Sequence, residues 1–233
     1  MLNCGSELRD SPNSKQRMKR LILYDLDGTL VDTQEDIVRA ANQMLMEMGA
    51  PLLAKEEIIR LVGRGLRQLV ADCLRSQISE RVEEGMRFYR AYYAQHLLDH
   101  SRLYAGALEV LDYFRERKQA VVTNKPNPFS REILVGLGVA DYFVEIIAGD
   151  SDYPRKPDPT SIVSMMEKYR IPPQETLLVG DSPIDVEAGR NAGIQTVVVK
   201  HGFADEAQIQ TATPDFTVAN LEALIPLSRV QGW

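Results

Sequence analysis

Five short apolar segments, each bounded by polar residues or glycine, constrain the fold of this chain more than any other feature. Segments of this length that are apolar at nearly every position are typical of parallel strands covered on both faces. Stretches of helical periodicity separate them, so the pattern predicts repeated βαβ units and a doubly wound, Rossmann-like α/β sheet. The predicted strands are residues 21–24, 120–122, 144–148, 176–179 and 196–199.

The alternation is interrupted between residues 32 and 103, where only amphipathic helical patterns occur. This interruption predicts an inserted helical subdomain (32–103) in an α/β core formed by residues 20–31 and 104–233. The helices predicted in the insertion are 34–48, 55–61, 65–75 and 79–98. In the core, residues typical of helix ends predict helices at 106–118, 158–169 and 184–191.

The composition limits the partners of this chain. A net charge of −6 and a sequence pI of about 5.2 provide no general positive field to attract nucleic acid or anionic lipid. No apolar run approaches the roughly 20 residues of a membrane-spanning helix. Cys4 and Cys73 have neither metal-ligand nor redox spacing, which favours a reducing cytoplasm. Residues 1–19 are polar and predict a solvated tail. A basic cluster at its end consists of Lys15, Arg17, Lys19 and the adjoining Arg20.

Polar residues with related chemistry follow several of the predicted strands. The first strand leads into Asp25–Thr29, the second into Thr123–Lys125 and the fourth into Gly180–Asp185, while Lys156 precedes the fourth in a turn-rich loop. Ligands of open parallel sheets bind at the carboxyl ends of the strands. Carboxylates, a hydroxyl and a lysine at this edge indicate a site for phosphate and a metal ion.

Simpler interpretations exist for each of these residues. Asp25 and Asp27 could only terminate a strand, and Thr123-Asn124 could be an ordinary turn. Lys156 could be a surface lysine, and Asp185 could be an acidic residue stabilised by the first turn of a helix. The combination in one order along the chain favours the functional interpretation over these alternatives.

The ordered motifs DxDGT, TN, KPxP and GDSxxD resemble those of the haloacid dehalogenase-like hydrolase superfamily over residues 20–226. The resemblance implies a phosphatase in which Asp25 is the nucleophile and forms an aspartyl phosphate. It implies that Asp27 protonates the leaving oxygen and then activates water, and that Lys156 neutralises charge on the phosphoryl group. Enzymes of the dehalogenase branch lack the aspartate that stands here at position 27.

The resemblance also implies a magnesium ion and a phosphate-binding site. The implied ligands of Mg²⁺ are Asp25, the backbone carbonyl of Asp27 and Asp181, with Asp185 as a further or outer ligand. The residues assigned to substrate binding are Gly28, Thr29, Thr123 and Asn124, together with Arg64 of the insertion.

The insertion resembles the small helical cap that closes over compact substrates in this superfamily. Arg64, in its Gly63-Arg64-Gly65 turn, could contact a substrate carboxylate, or it could be an exposed arginine at the start of a helix. The motif set looks most like phosphoglycolate phosphatases, although Tyr104-Ala105-Gly106 lacks the proline that relatives commonly carry before this glycine. We therefore expect a small phosphorylated substrate, with 2-phosphoglycolate as the leading candidate.

Other functions stay open at the level of sequence. A phosphomutase of the β-phosphoglucomutase type, a pyrophosphatase and a sugar-phosphate phosphatase share most of the motifs, and a catalytically silent binding module is a further alternative. The histidines His96, His100 and His201 lie in no catalytic spacing and are assigned to structure or surface. The sequence leaves both a monomer and a homodimer possible.

Overall fold

The computed structural model describes residues 18–233, and the predicted tail therefore lies outside the described residues except at its end. The main sheet has six parallel strands in the order β5-β4-β1-β6-β7-β8. These strands are β1 (Leu21–Tyr24), β4 (Lys118–Val122), β5 (Glu145–Ile147), β6 (Thr176–Gly180), β7 (Gln195–Val199) and β8 (Phe216–Val218). The predicted doubly wound α/β class is confirmed.

Helices cover both faces of the sheet because successive residues of its strands point to opposite sides. In β1, Ile22 and Tyr24 belong to one apolar cluster, whereas Leu21 and Leu23 belong to the other. The first cluster takes in α5 (Ala107–Tyr113), α6 (Phe129–Gly136) and α10 (Leu224–Gln231). The second takes in α7 (Thr160–Tyr169) and α8 (Pro183–Asn191), and α9 (Glu206–Ala212) packs beside α8.

Four helices form the segment between β1 and β4. They are α1 (Gln34–Glu47), α2 (Lys55–Leu61), α3 (Leu66–Cys73) and α4 (Ser79–His96). Each agrees with its predicted helix to within two residues at either end. The apolar stripes of α1, α3 and α4 face one another, and Gly85 of α4 lets Val70 and Met44 approach its backbone closely.

Two short strands stand where the helical segment leaves and rejoins the core. These are β2 (Val31–Asp32) and β3 (Arg102–Leu103), which pair antiparallel with Val31 opposite Leu103. They lie at the predicted boundaries of the insertion. The division of the chain into a core and a cap stays a prediction.

Some elements differ from the sequence-based expectation. Helix α5 ends at Tyr113 instead of residue 118, because Lys118 already pairs with Leu21 as the first residue of β4. Lys19, which we expected in a solvated tail, is buried, and its ammonium donates to the backbone oxygens of Gln174 and Thr176. Lys19 is therefore part of the folded core, not of a tail.

No helix within residues 18–233 combines the length and the apolar character needed to cross a membrane. The short helical turns at Ala140–Tyr142, Pro173–Glu175 and Leu221–Ala223 complete the described secondary structure. The order in which strands are added to the sheet reverses at β1. Strands β4 and β5 lie on one side of it, and β6, β7 and β8 lie on the other. Ligands of such sheets bind at this point, outside the carboxyl ends of the strands.

Candidate active site

Asp25 is the first residue after β1, and its backbone N–H donates to the carbonyl of Val179 in the neighbouring strand at 2.9 Å. Its carboxylate oxygen Oδ1 accepts a hydrogen bond from the Leu26 N–H at 2.7 Å and lies 3.0 Å from the Lys156 ammonium. Burial raises the pKa of Asp25 to about 6; Lys156 opposes this shift, and the nearby carboxylates of Asp185 and Asp27 add to it. The carboxylate is thus fixed by the strand and by one cation.

Lys156 is held between two carboxylates. Its side chain is only 1% exposed, and its ammonium lies 3.0 Å from Asp25 Oδ1 and 2.6 Å from Asp185 Oδ1. Burial alone would lower the pKa of this lysine, but Asp185 and Asp25 together hold the pKa above its ordinary value. Lys156 therefore remains a fixed positive charge beside Asp25.

Asp185 is committed mainly to its own loop and to Lys156. Its second oxygen, Oδ2, accepts hydrogen bonds from the backbone N–H groups of Asp181 and Ser182 and from the Ser182 hydroxyl. This arrangement caps the N-terminus of α8. Its contacts thus fit a residue that positions Lys156 and the Asp181 backbone more than a direct metal ligand.

Three buried carboxylates could hold a metal ion: Asp25, Asp181 and Asp185 offer oxygens that lie within 4.8 Å of one another. Hard carboxylate oxygens are the ligands that Mg²⁺ prefers. Burial, together with the charges of Asp185 and Asp25, raises the pKa of Asp181 well above its ordinary value, so a cation would relieve an unfavourable cluster. The donor set fits the predicted Mg²⁺, while the role of the Asp27 carbonyl stays a prediction.

Asp181 is oriented by residues from two other loops. The Thr29 hydroxyl donates to Asp181 Oδ1 at 3.2 Å, and the Phe203 N–H donates to Oδ2 at 2.7 Å. Gly28 has φ of +79°, and a Cβ at this position would lie 2.3 Å from Asp181 Oδ2. Glycine is therefore required at position 28 for both the backbone turn and the approach of Asp181.

Asp27 lies in a different environment from Asp25, two residues away. Its Oδ1 accepts a hydrogen bond from the Thr33 hydroxyl at 2.7 Å, and the Lys125 ammonium lies 3.0 Å from Oδ1 and 3.3 Å from Oδ2. The two aspartates are thus each associated with a lysine of their own.

Thr123 and Asn124 follow β4 and are both buried. The Asn124 amide donates to the carbonyls of Gly63 and Lys156 at 2.8 and 2.9 Å, and its oxygen accepts from the Lys156 N–H at 2.9 Å. One side chain therefore fixes the Lys156 loop and joins it to the turn between α2 and α3.

A cavity of about 70 Å³ opens onto these groups. Its polar lining includes Asp25, Asp27, Thr123, Asn124 and Lys125. The helical segment supplies an apolar wall opposite them, formed by Ile37, Val62, Leu66, Leu69, Tyr89 and Tyr93. A cavity of this size with one polar side suits a small anionic molecule.

A family model described as haloacid dehalogenase-like hydrolase matches residues 22–199, which carry all the carboxylates and lysines of this site. The chain belongs to the haloacid dehalogenase-like hydrolase family. The membership predicted from the four motifs is thereby confirmed.

Curated relatives of this hydrolase share about a third of its residues. A phosphoglycolate phosphatase of Vibrio parahaemolyticus is 34% identical over 91% of this chain and 96% of its own length. One from Pseudomonas putida is 33% identical over 90% of this chain and 79% of its own length. A crystal structure described as a predicted phosphoglycolate phosphatase of Haemophilus somnus has a TM-score of 0.86 and 27% identity, covering 90% of this chain and 98% of that one.

The structure separates the predicted site residues of this hydrolase into two groups. Asp25, Asp27, Lys156, Asp181 and Asp185 come together with Thr123 and Asn124 at the carboxyl ends of β1, β4 and β6. Thr29 donates to Asp181 and its side chain is fully buried, Gly28 leaves room for the same carboxylate, and substrate binding by either residue stays a prediction. The contacts of both residues are those of supports for the acidic cluster.

Arg64 does not line the cavity at Asp25. It is exposed and borders a wider cleft between the helical segment and the start of α8, near Ser182 and Ile184. The neighbouring glycines Gly63 and Gly65 line the Asp25 cavity instead. A contact between Arg64 and the substrate therefore stays a prediction that this arrangement does not support.

Sequence reasoning missed Lys125, Thr33 and Phe203 as members of the site. Lys125 belongs to the segment that follows β4 but was given no role, Thr33 stands four residues after Thr29, and Phe203 stands four residues after the end of β7. The rule that directed attention to strand ends could have included all three. Their partners, Asp27 and Asp181, become apparent only from the folded geometry.

Proposed function

We propose that this hydrolase is a magnesium-dependent phosphatase that transfers the phosphoryl group of a small phosphomonoester to Asp25 and then to water. The observation that carries the proposal is the placement of the Asp25 carboxylate, which contacts Lys156 and belongs to a buried triad with Asp181 and Asp185 beside a small cavity. Such a site combines a nucleophile with the cations that a phosphate dianion requires.

Asp25 attacks phosphorus, the bond between phosphorus and the ester oxygen of the substrate breaks, and the resulting acyl phosphate on Asp25 is the covalent intermediate. Among the described residues, both hydrogen-bonding partners of this carboxylate bind Oδ1, which leaves Oδ2 for the attack. Lys156 offsets the repulsion between the carboxylate and the phosphate oxygens. Asp185 keeps the Lys156 ammonium in place at 2.6 Å.

Asp25 and Asp181, with Asp185 as a further or outer ligand, would hold Mg²⁺, which would supply positive charge for the phosphoryl oxygens. Asp27 donates a proton to the leaving oxygen and then accepts one from the attacking water. Thr33 and Lys125 fix the orientation of its carboxylate for both steps. In this proposal Thr123 and the backbone at Asn124, at the end of β4, bind the phosphoryl oxygens.

2-Phosphoglycolate is the substrate that we favour. The curated relatives from Vibrio and Pseudomonas carry the name phosphoglycolate phosphatase and match almost the whole chain. The cavity of about 70 Å³ beside Asp25 has an apolar wall from α3 and α4, which favours a compact substrate. A cytoplasmic location agrees with the free, buried Cys73, and the helical segment acts in this proposal as the cap.

The test is release of inorganic phosphate from a panel containing 2-phosphoglycolate, a hexose phosphate, β-glucose 1-phosphate and pyrophosphate, with Mg²⁺ or with EDTA. We expect magnesium-dependent release that is fastest with 2-phosphoglycolate. Asp25→Asn is the control variant: it should fold as the wild type does and release no phosphate. Release by Asp25→Asn at the wild-type rate would refute the mechanism, and an isomerised sugar phosphate without free phosphate would identify a mutase.

A further inference from the structure

Lys125 is a buried cation that has more contacts than are needed to orient Asp27. Its side chain is 5% exposed, and its ammonium stands 4.6 Å from the centre of the Tyr93 ring, a cation–π contact. The Thr33 hydroxyl already holds Asp27 Oδ1 at 2.7 Å. An ammonium has three N–H donors, and the two oxygens of Asp27 occupy at most two of them.

The cavity around Lys125 has room for a further acceptor. Among the described residues that line it, Lys125 is the one basic side chain, since Lys156 lies behind Asp25 between two carboxylates. Tyr93 also lines the cavity, and its fully buried hydroxyl has no hydrogen-bond partner within the described part of the chain. The space beside the buried Lys125 ammonium is therefore the observation from which the inference is drawn.

We propose that Lys125 is a specificity-determining residue, which binds a carboxylate carried by the carbon atom next to the ester oxygen of the substrate. The inference rests on the proposed phosphatase function and names the group that distinguishes a 2-phosphocarboxylate from other small phosphomonoesters.

The position of Asp27 provides the geometric argument. In the proposed mechanism Asp27 protonates the leaving oxygen. The leaving oxygen therefore lies within hydrogen-bond distance of the Asp27 carboxylate during the reaction. In a 2-phosphocarboxylate the carboxyl carbon is only two bonds from the leaving oxygen. An ammonium 3.0 Å from Asp27 Oδ1 is therefore within reach of both groups. The apolar residues that line the cavity, including Leu69 and Phe129, exclude water and strengthen a charged hydrogen bond.

The experiment compares 2-phosphoglycolate with ethyl phosphate, in which a methyl group replaces the carboxylate. In the wild type, kcat/KM should strongly favour 2-phosphoglycolate. In Lys125→Met, which keeps the chain length without the charge, this preference should fall about 10–100-fold, the effect of losing a charged hydrogen bond. Any slowing that comes from a less well oriented Asp27 should be the same for both substrates, and the additional loss for 2-phosphoglycolate should appear mainly in KM.

A residue that only orients Asp27 would behave differently. In that case Lys125→Met would slow both substrates by the same factor, and the preference would survive, which overturns this inference while leaving the phosphatase function intact. A wild type that hydrolyses both substrates with equal kcat/KM would overturn the inference and the proposed substrate together. Lys125→Gln, which retains a polar partner for Asp27, serves if the methionine variant does not fold, and the same loss of preference is expected of it.

Discussion

Asp25 and Asp27 show how two identical side chains in one motif acquire different environments. Asp25 faces Lys156 and the acidic cluster of Asp181 and Asp185, whereas Asp27 faces Lys125 and a hydroxyl. Residues i and i+2 of an extended segment point to the same side, so both reach one cavity. The separate partners allow one carboxylate to act as a nucleophile while the other transfers protons.

Replacement of Asp27 by asparagine tests this division of roles. With 2-phosphoglycolate we expect turnover to fall by about 10²–10⁴, the usual contribution of a general acid/base. With p-nitrophenyl phosphate, the first release of p-nitrophenol should remain fast, because this leaving group needs little protonation. Rapid-mixing measurement of the first turnover would separate the two substrates.

Equal losses in the first turnover of both substrates would show that Asp27 does not protonate the leaving group. Thr33→Val is the matched control, since it removes one hydrogen bond to Asp27 but keeps the carboxylate. Its effect should be much smaller than that of Asp27→Asn.

At the scale of elements, the sequence predicts those helices and strands whose stability comes from their own apolar pattern. The strands at Leu21–Tyr24 and Thr176–Gly180 are fully buried and appear as continuous apolar runs. Strands β2 and β3 have two residues each and exist only because Val31 and Leu103, far apart in sequence, pair with each other. Edge strand β8 was not predicted because it is not a continuous apolar run: Thr217 is exposed, and Phe216 is only partly buried.

The same limit applies to the site. Three of the four motifs, DxDGT, TN and GDSxxD, give the residues at the ends of β1, β4 and β6, because each follows its own strand. The contact of Lys125 with Tyr93 depends on the packing of α4 against the core, which no local pattern contains. The displacement of Arg64 from the cavity likewise depends on how the turn between α2 and α3 lies against the core.

Asp36, in the first turn of α1, links the start of the helical segment to its end at His100 and Ser101. Its buried carboxylate accepts hydrogen bonds from the backbone N–H groups of His100 and Ser101 and from the Ser101 hydroxyl, and it contacts the His100 ring. Burial alone would raise the pKa of Asp36, but these hydrogen bonds hold it below its ordinary value. The carboxylate thus closes the junction just beside β2 and β3.

Asp36→Asn should lower the free energy of unfolding by about 2–3 kcal/mol, because an amide cannot accept all of these hydrogen bonds and loses their charge. Urea denaturation at neutral pH measures the change. Asp99→Asn is the matched control: Asp99 also contacts a histidine, His96, at 2.8 Å, but this pair is exposed. An exposed pair contributes about 0–1 kcal/mol, so equal effects of the two variants would contradict the proposed role of Asp36.

For the whole molecule, the central question is how an acidic protein of net charge −6 binds an anion. The site itself contains four carboxyl groups, Asp25, Asp27, Asp181 and Asp185, and only two lysines, Lys125 and Lys156. The sheet topology concentrates this excess negative charge at one edge, where β1 lies between β4 and β6. A divalent cation would balance the excess, so its binding should affect the stability of the entire fold.

We therefore expect Mg²⁺ to raise the melting temperature of the wild type. A ligand that binds only the folded state at 100 times its dissociation constant adds about 2.7 kcal/mol. For a chain of this size that corresponds to roughly 5–10 °C. Scanning calorimetry in EDTA and in a magnesium series would measure the shift.

Asp181→Asn provides the decisive comparison, because it removes one carboxylate from the buried cluster without changing its shape. In EDTA this variant should melt at or above the wild-type temperature, since the wild-type cluster then contains like charges without a cation. In Mg²⁺ the order should reverse, because only the wild type retains the full set of ligands. A magnesium-induced shift as large in Asp181→Asn as in the wild type would place the metal elsewhere in the molecule.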